Sequence, residues 1–526
     1  MYNFEQLSQT VNSLSADKII KSLPYINRGL EKESLRQTPD GQISKTQHPY
    51  GLGSALTNKF ITTDYSEALL EYITPVFKET SCLLEFLENL HTFSLNEMPD
   101  DEKIWCHSMP CILTEEKDIP IAWYGSSNVG MMKHIYRRGL AWRYSRRMQT
   151  IAGVHFNFSL PEEFWSMMKE AENSQLPLAD YISEGYFRLI RNFKRYVWLL
   201  FYFTGSSPAL CKSFLTGQKH SLESFDGCTA YKPFATSLRM SDLGYTNKEQ
   251  QSLKIRFNSL DEYVTDLASA IKSPSQEFEK IGVKVDGEYR QLNTNILQIE
   301  NEFYSIIRPK RTANSGEKPT CALRRRGVEY IEVRMLDVNP FSPIGICEKQ
   351  INFLDTFLLA CAILPSPDLN DEEQKLTRSN TGLAILEGRN PDLELNTDSG
   401  KRKFRDLAKE AFSSLEICAD ILDKAFSTEK YKVTLAKFSE MIDRPELTPS
   451  GKVLEEMTHN HNSYYPFARS LSDKHNQFLR KREIPEKLLE YLREEARKSH
   501  DLQSEIEESD SISFEEYLTN YFTQKP

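Results

Sequence analysis

Several signatures that would settle a function quickly are missing from the 526 residues: GxxxxGK[ST], GxGxxG after a strand, HExxH, CxxC and GxSxG. Their absence removes the P-loop and dinucleotide-fold routes to a nucleotide, the common zinc sites and the serine-hydrolase elbow. Long apolar runs are missing too. The longest, "YVWLLFYF" (196–203) and "FLLACAIL" (357–364), fall far short of the roughly 20 residues a membrane span needs. The first residues, "MYNFEQLSQTVNSLSADK", lack a basic start leading into an apolar stretch, so no secretory leader is expected. Positive charge is in deficit, with a net charge of −10 and a pI near 5.7. Nucleic acid wants a basic face and is therefore not an expected partner. The nine cysteines are scattered and odd in number, which reads as reduced thiols. The expectation is a cytoplasmic protein that binds neither membrane nor nucleic acid, with room for a small anion held by a few local cations.

With 39% hydrophobic and 27% charged residues, the composition is that of an ordinary globular chain. No repeat or low-complexity block interrupts it. Residues 1–365 mix strand-like and helical patterns and are expected to form the sheet-containing core. After the polar connector "LPSPDLNDEEQK" (364–375) the pattern turns mostly helical, so 366–526 is expected to pack on that core as a buttress within one unit. The expected class is α+β.

Period-two alternation puts residues i and i+2 on one sheet face. In "GVEYIEVRML" (327–336), Ile331, Val333 and Met335 form an apolar face, while Tyr330, Glu332 and Arg334 form a charged one. "GVHFNFSL" (153–160) sets Val154, Phe156, Phe158 and Leu160 against His155 and Asn157. "NILQIENEFY" (295–304) reads as a further such strand, with Glu300, Glu302 and Tyr304 on its polar face. "RGLEKESLR" (28–36) aligns Glu31 and Glu33. "TDYSEALLEYITPV" (63–76) fits helix or strand, and either places Glu67 and Glu71 on one face; Asp64 joins them only in a helix. A single such strand is an ordinary wet sheet face. Several whose acidic faces converge would repel one another unless cations sit among them. Carboxylates with one imidazole suit Mg²⁺ or Mn²⁺, and Arg334 beside Glu332 suits an anion held at the metal.

Two further runs bear on ligands. "YRRGLAWRYSRRMQT" (136–150) and "SLRMSDLGYTNK" (237–248) carry arginines, the usual clamp for a carboxylate, with Arg239 in the second. The basic "RPKRTANSGEKPTCALRRRG" (308–327) reads either as a solvated loop or as a mobile lid over phosphates.

The segments "RGLEKESLR", "LGSALTNKFITTDYSEALLEYITP", "MQTIAGVHFNFSLP", "ATSLRMSDLGYTNK", "LQIENEFYSIIRPKR" and "GVEYIEVRMLDVNPFSPIG", in this order and spacing, resemble the bacterial glutamate–cysteine ligases. The resemblance covers about residues 20–365. It implies a curved, largely antiparallel sheet forming a funnel, like the glutamine synthetase and guanido kinase catalytic domains, with helices outside. It also implies ATP, L-glutamate and L-cysteine as substrates; a monomer is expected over an oligomer. Glu31, Glu33, Glu71, His155 and Glu332 then match the Mg²⁺ ligands, with Glu67 and Asp64 as lesser members of that shell. Arg334 matches the phosphate-stabilising cation and Arg239 the clamp on a substrate carboxylate. Tyr136, Leu140, Gln149, Tyr245 and Tyr304 match the cysteine pocket, and Asn157 and Asn301 are implied as polar liners near the nucleotide. Three positions depart from the pattern. Phe156 stands in place of tyrosine and Ser145 in place of glycine, both expected to be mild. Arg326 in place of glycine leaves the lid geometry open. A carboxylate–amine ligase with another amine, a guanido kinase, and a glutamate- or nucleotide-binding protein without turnover are the alternatives.

Overall fold

The computed structural model describes residues 16–244, 250, 253–314 and 316–525. Its centre is one antiparallel sheet of seven strands: β1 (Asn27–Gln37), β2 (Ile61–Thr63), β3 (Leu69–Ile73), β4 (Lys103–Ile104), β5 (Gly153–Ser159), β6 (Ile307–Lys310) and β7 (Tyr330–Asp337). Six run in the order β6-β7-β5-β1-β3-β2, and β4 pairs with the far end of β1. The path is open at β6 and β2, so the sheet is not a closed barrel. Helices surround it, and the architecture is α+β.

Register shows how the alternation in sequence becomes two faces. Leu30 pairs with Phe156, and Phe156 with Val333. These residues, with Val154, Phe158 and Ile331, are buried on the back. Glu31 pairs with His155, Glu33 with Glu71, Asn157 with Glu332, and Glu332 with Arg308. These lie on the front. A register shift between Val333 and Leu336 bends β7 beside Arg334, a common device for re-aiming a side chain.

The back is covered by α1 (Thr80–Glu97), α3 (Leu178–Thr204) and α5 (Glu348–Ile363), while α2 (Asn128–Tyr144) flanks the front. A single buried cluster runs from the sheet through α3 and α5 into α6 (Phe404–Phe426) and α7 (Tyr464–Arg480). The chain end adds α8 (Glu486–Ser509) and α9 (Phe514–Thr523). α9 sets Phe514, Tyr517, Leu518 and Tyr521 against Met131, Met132 and Ile135 of α2. The nine cysteines are all free.

Four local expectations are corrected. Residues 295–304 do not form a strand; a 3₁₀ turn at Glu300–Glu302 breaks the alternation. Glu300 accepts the Thr320 N–H and hydroxyl, and Glu302 accepts Arg143, the Tyr144 hydroxyl and the Gln298 N–H. Both carboxylates therefore staple loops together. In 63–76 a turn separates β2 from β3, so Glu67 and Glu71 do not share a face. The basic run 308–327 is neither a loop nor a lid throughout. It begins as β6 and ends as the helix α4 (Pro319–Arg326). At the end of α4 the positive φ falls on Gly327, at 71°, and Arg326 sits in the last helical turn bonded to Glu317, so its replacement of glycine leaves that turn intact. Ser145 is less innocent than expected. It caps α2 at φ 76°, where only glycine is unstrained.

Candidate active site

The front of the sheet and the flank of α2 enclose a cavity of about 420 Å³. Glu33 and His155 of the acidic cluster line it, and Glu31, Glu71 and Glu332 lie beneath them, off the cavity surface. One ligand atom each from Glu31, His155 and Glu332 lie within 4.8 Å of one another. His155 Nδ1 is 3.3 Å from Glu31 Oε2 and 3.8 Å from Glu332 Oε1, and Nε2 is 3.6 Å from Glu33 Oε1. Neighbouring strands bring these groups together because Glu31, His155 and Glu332 occupy adjacent register positions on β1, β5 and β7.

The carboxylates divide into two electrostatic sets. Burial alone would raise the Glu332 carboxyl, but Lys310, Arg334 and His155 together hold it well below the usual carboxylate range. Glu31 is likewise held low: burial and Glu332 push it up, and His155 and Lys310 pull it further down. Glu33 is raised by burial and by Asp64. Glu71 is raised well above the ordinary value by burial and by Asp64, Glu31 and Glu33. Glu33 and Glu71 sit directly opposite on paired strands, an arrangement that is destabilising for like charges. Glu332 Oε2 is buried and accepts no hydrogen bond, with Arg334 Nη1 3.1 Å away. Mutually repelling carboxylates, one imidazole and an unsatisfied carboxylate oxygen form a donor set that fits a hard divalent cation.

Cations ring the cluster. Arg334 Nη1 also approaches His155 Nδ1 at 3.5 Å. Burial would weaken the Arg334 charge, but Glu332 beside it keeps the guanidinium firmly protonated. Lys310 Nζ donates to Glu332 Oε1 at 3.4 Å. Arg308, opposite Glu332 on β6, lines the cavity. Neither Lys310 nor Arg308 was singled out by pattern, because β6 is four residues long and contains Pro309. A proline in so short a run reads as a loop, although it is tolerated on an edge strand. The available signal was the spacing of Arg308 and Lys310, two apart and both basic.

Most of the expected residues converge here. Glu33, Asp64, His155, Arg239 and Arg334 line the cavity, as do Tyr136, Leu140, Gln149, Asn301 and Tyr304. α2 supplies Tyr136 and Leu140 from one face. Tyr245 lies outside the described residues. Asn157 is not at the cavity surface; its amide donates to Glu31 Oε1 at 2.9 Å and so orients that carboxylate. Glu67 is a correction to the proposed metal shell. It is buried in the turn before β3, where one oxygen accepts the His48 N–H and the other the Trp123 N–H, each at 2.7 Å. Both oxygens are committed to holding loops. Asp64, at the cavity wall, also acts on the site through its field, as the pushes on Glu33 and Glu71 show.

A protein-family model described as "Glutamate-cysteine ligase" matches residues 11–383. A glutamate–cysteine ligase of Alcanivorax borkumensis is 47% identical over 524 residues, covering 98% of this chain and 99% of that protein. One of Shewanella oneidensis is 48% identical over 498 residues, covering 94% and 95%. A crystal structure of glutamate–cysteine ligase from Francisella tularensis in complex with AMP superposes with a TM-score of 0.89 at 36% identity, covering 94% of this chain and 97% of that one.

Proposed function

The chain belongs to the glutamate–cysteine ligase family, and from that premise we infer how the front of its sheet carries out the reaction. It is an ATP-dependent ligase that joins the γ-carboxylate of L-glutamate to the amine of L-cysteine, the first step of glutathione synthesis. The convergence of Glu31, His155 and Glu332 beneath one cavity, with Arg334 and Lys310 beside them, carries the mechanistic reading.

A carboxylate is a poor acyl donor because its leaving group would be oxide. In our reading a γ-carboxylate oxygen attacks the terminal phosphorus of ATP and ADP leaves. The cysteine nitrogen then attacks the resulting acyl phosphate and phosphate leaves, with the amine proton lost. Phosphoryl transfer needs positioning and charge neutralisation more than covalent help from the protein. We assign Glu31, Glu33, Glu71, His155 and Glu332 to hold Mg²⁺, or Mn²⁺ in its place. When bound, the ion neutralises charge on the polyphosphate and the transferring group. Arg334 and Lys310 stabilise charge on that group from the protein side. Arg239 holds a glutamate carboxylate, and Tyr136, Leu140, Gln149 and Tyr304 bound the space for the cysteine side chain. The nucleotide lies toward Asn301. No helix among the described residues is long and apolar enough to cross a membrane. We place the enzyme in the cytoplasm as a monomer, with residues 1–365 as its catalytic core and 366–526 as the buttress.

The test is ADP release measured with each component omitted in turn, together with mass detection of the dipeptide. Release should require Mg²⁺, glutamate and cysteine together. Release that ignores cysteine, or that is faster with another amine, would overturn the assignment of the second substrate. Nucleotide binding by calorimetry without turnover on any amine would point to a binding protein instead.

A further inference from the structure

Asp337 closes β7 behind Arg239, which lines the cavity, and is itself 1% exposed. Three neutral donors hold it. Oδ2 accepts the Ser206 N–H at 2.8 Å and the Ser207 hydroxyl at 2.7 Å, and Oδ1 accepts the Ser237 hydroxyl at 2.9 Å. The same Oδ1 lies 3.8 Å from Nη1 of Arg239. The Arg239 segment is tied to this network through its own backbone N–H, which donates to Ser207 Oγ at 3.3 Å, and its Nη2 donates to the Arg334 carbonyl at 3.3 Å. Gly153, paired with Asp337 across β5 and β7, makes the room: a Cβ there would fall 2.0 Å from Arg239 Nη2.

We propose that Asp337 is a positioning residue for glutamate recognition, setting the Arg239 guanidinium against the substrate carboxylate without touching substrate itself. A buried arginine needs a counter-charge. Three donors from two chain segments, Ser206 and Ser207 on one and Ser237 on the other, pin that counter-charge, so its direction does not adapt to the guanidinium; the guanidinium adapts to it. At 3.8 Å the pair neutralises charge without the bidentate fork that would close a guanidinium edge on Asp337. Gly153 completes the device, because any side chain there would push the guanidinium off its line. Displacing a clamp by about 1 Å is enough to cost up to about 100-fold.

The proposal rests on reading Arg239 as the glutamate clamp, and the experiment separates the two. Steady-state kinetics with each substrate varied in turn would compare Arg239→Lys, Asp337→Asn and the double variant. Asp337→Asn should raise the glutamate KM by roughly 10- to 100-fold, with the KM values for ATP and cysteine within about twofold of wild type. The double variant should be no worse than Arg239→Lys alone, because one residue acts through the other. If Arg239→Lys raises the glutamate KM and Asp337→Asn does not, or if Asp337→Asn raises all three KM values together, the positioning role is overturned while the clamp stands. If Arg239→Lys leaves the glutamate KM unchanged, the clamp reading fails and this proposal with it. Should Asp337→Asn not fold, Ser237→Ala and Gly153→Ala decide. The first loosens Oδ1, the second displaces the guanidinium, and both should raise the glutamate KM selectively. A glutamate KM unchanged in both would overturn the proposal.

Discussion

β1 carries charge on both faces, and the two faces treat it in opposite ways. On the back lie Arg28, Lys32 and Arg36, all buried. Arg28 is paired with Asp355 of α5 at 2.7 Å, and Arg36 with Glu102 at 2.7 Å. Lys32 donates to Ser34 Oγ at 2.6 Å, with His91 Nε2 at 3.0 Å. On the front, Glu31 and Glu33 face His155, Glu332 and Glu71, and acids outnumber their immediate cationic partners. The back is finished without any ligand; the front is not. Buried charge alone therefore does not mark a site. What separates the faces is whether the chain supplies the partner.

The sharpest way to break the back is to orphan one of its cations. Asp355→Ala leaves Arg28 buried, hydrogen-bonded only to carbonyls and a phenol, and should lower the unfolding free energy by about 3–5 kcal/mol. Urea unfolding measures this, and turnover per folded molecule should stay near wild type. The matching change on the front is Glu332→Gln. It should reduce turnover by about 100-fold or more, because a ligand to the ion that neutralises the transferring group is lost. The urea midpoint should change little. A variant within about threefold of wild type would remove Glu332 from the chemistry.

A third comparison uses acid. His107 lies behind the sheet, 2% exposed, and burial followed by the nearby His475 pushes its pKa down to about 3. An unfolded histidine titrates near 6.5. Below that value the unfolded chain takes up a proton that the folded chain refuses until about pH 3. Stability is therefore lost as pH falls, by up to roughly 1.4 kcal/mol per pH unit from this residue alone. Urea midpoints from pH 7.5 to 5 should fall more steeply for wild type than for His107→Phe. Parallel slopes would show that His107 is not held neutral.

The front face was legible in the sequence wherever a strand ran unbroken. Glu31, Glu33, His155, Glu332 and Arg334 follow from alternation within β1, β5 and β7, and Glu71 from its place in β3. The misreadings share one physical cause, a local break in period two. A turn before β3 removed Glu67, and the 3₁₀ turn removed Glu300 and left Glu302 at the cavity wall but tied to Arg143, Tyr144 and the Gln298 N–H. Lys310 was hidden by the opposite effect, a short proline-containing edge strand that looks like a loop. The apolar residues of the back were legible by the same alternation, but its charge pairs were not. Arg28 and Asp355 are paired only because α5 packs behind β1, and nothing local to either residue announces the other. The order of the six matching segments identified the family, while alternation alone reached only a metal–anion site.

Glu67 and Glu71 give the smallest expected effect and the finest version of the contrast, since they lie four residues apart on one segment. Glu67 accepts two backbone N–H groups; Glu71 is crowded by three other acids, Asp64, Glu31 and Glu33. Removing charge from a carboxylate that holds loops should cost stability, about 1–3 kcal/mol for weakened charge-assisted hydrogen bonds. Removing it from one that serves a cation should cost activity. Glu67→Gln is therefore expected to lower the urea midpoint and leave turnover within about threefold of wild type, well short of the loss that follows removal of a transition-state contact. Glu71→Gln should relieve repulsion, leave or raise the midpoint measured without metal, and increase the Mg²⁺ concentration needed for half-maximal rate. If Glu67→Gln moved the Mg²⁺ dependence as Glu71→Gln does, the two faces of this strand pair would not be divided by who supplies the partner, and Glu67 would return to the metal shell.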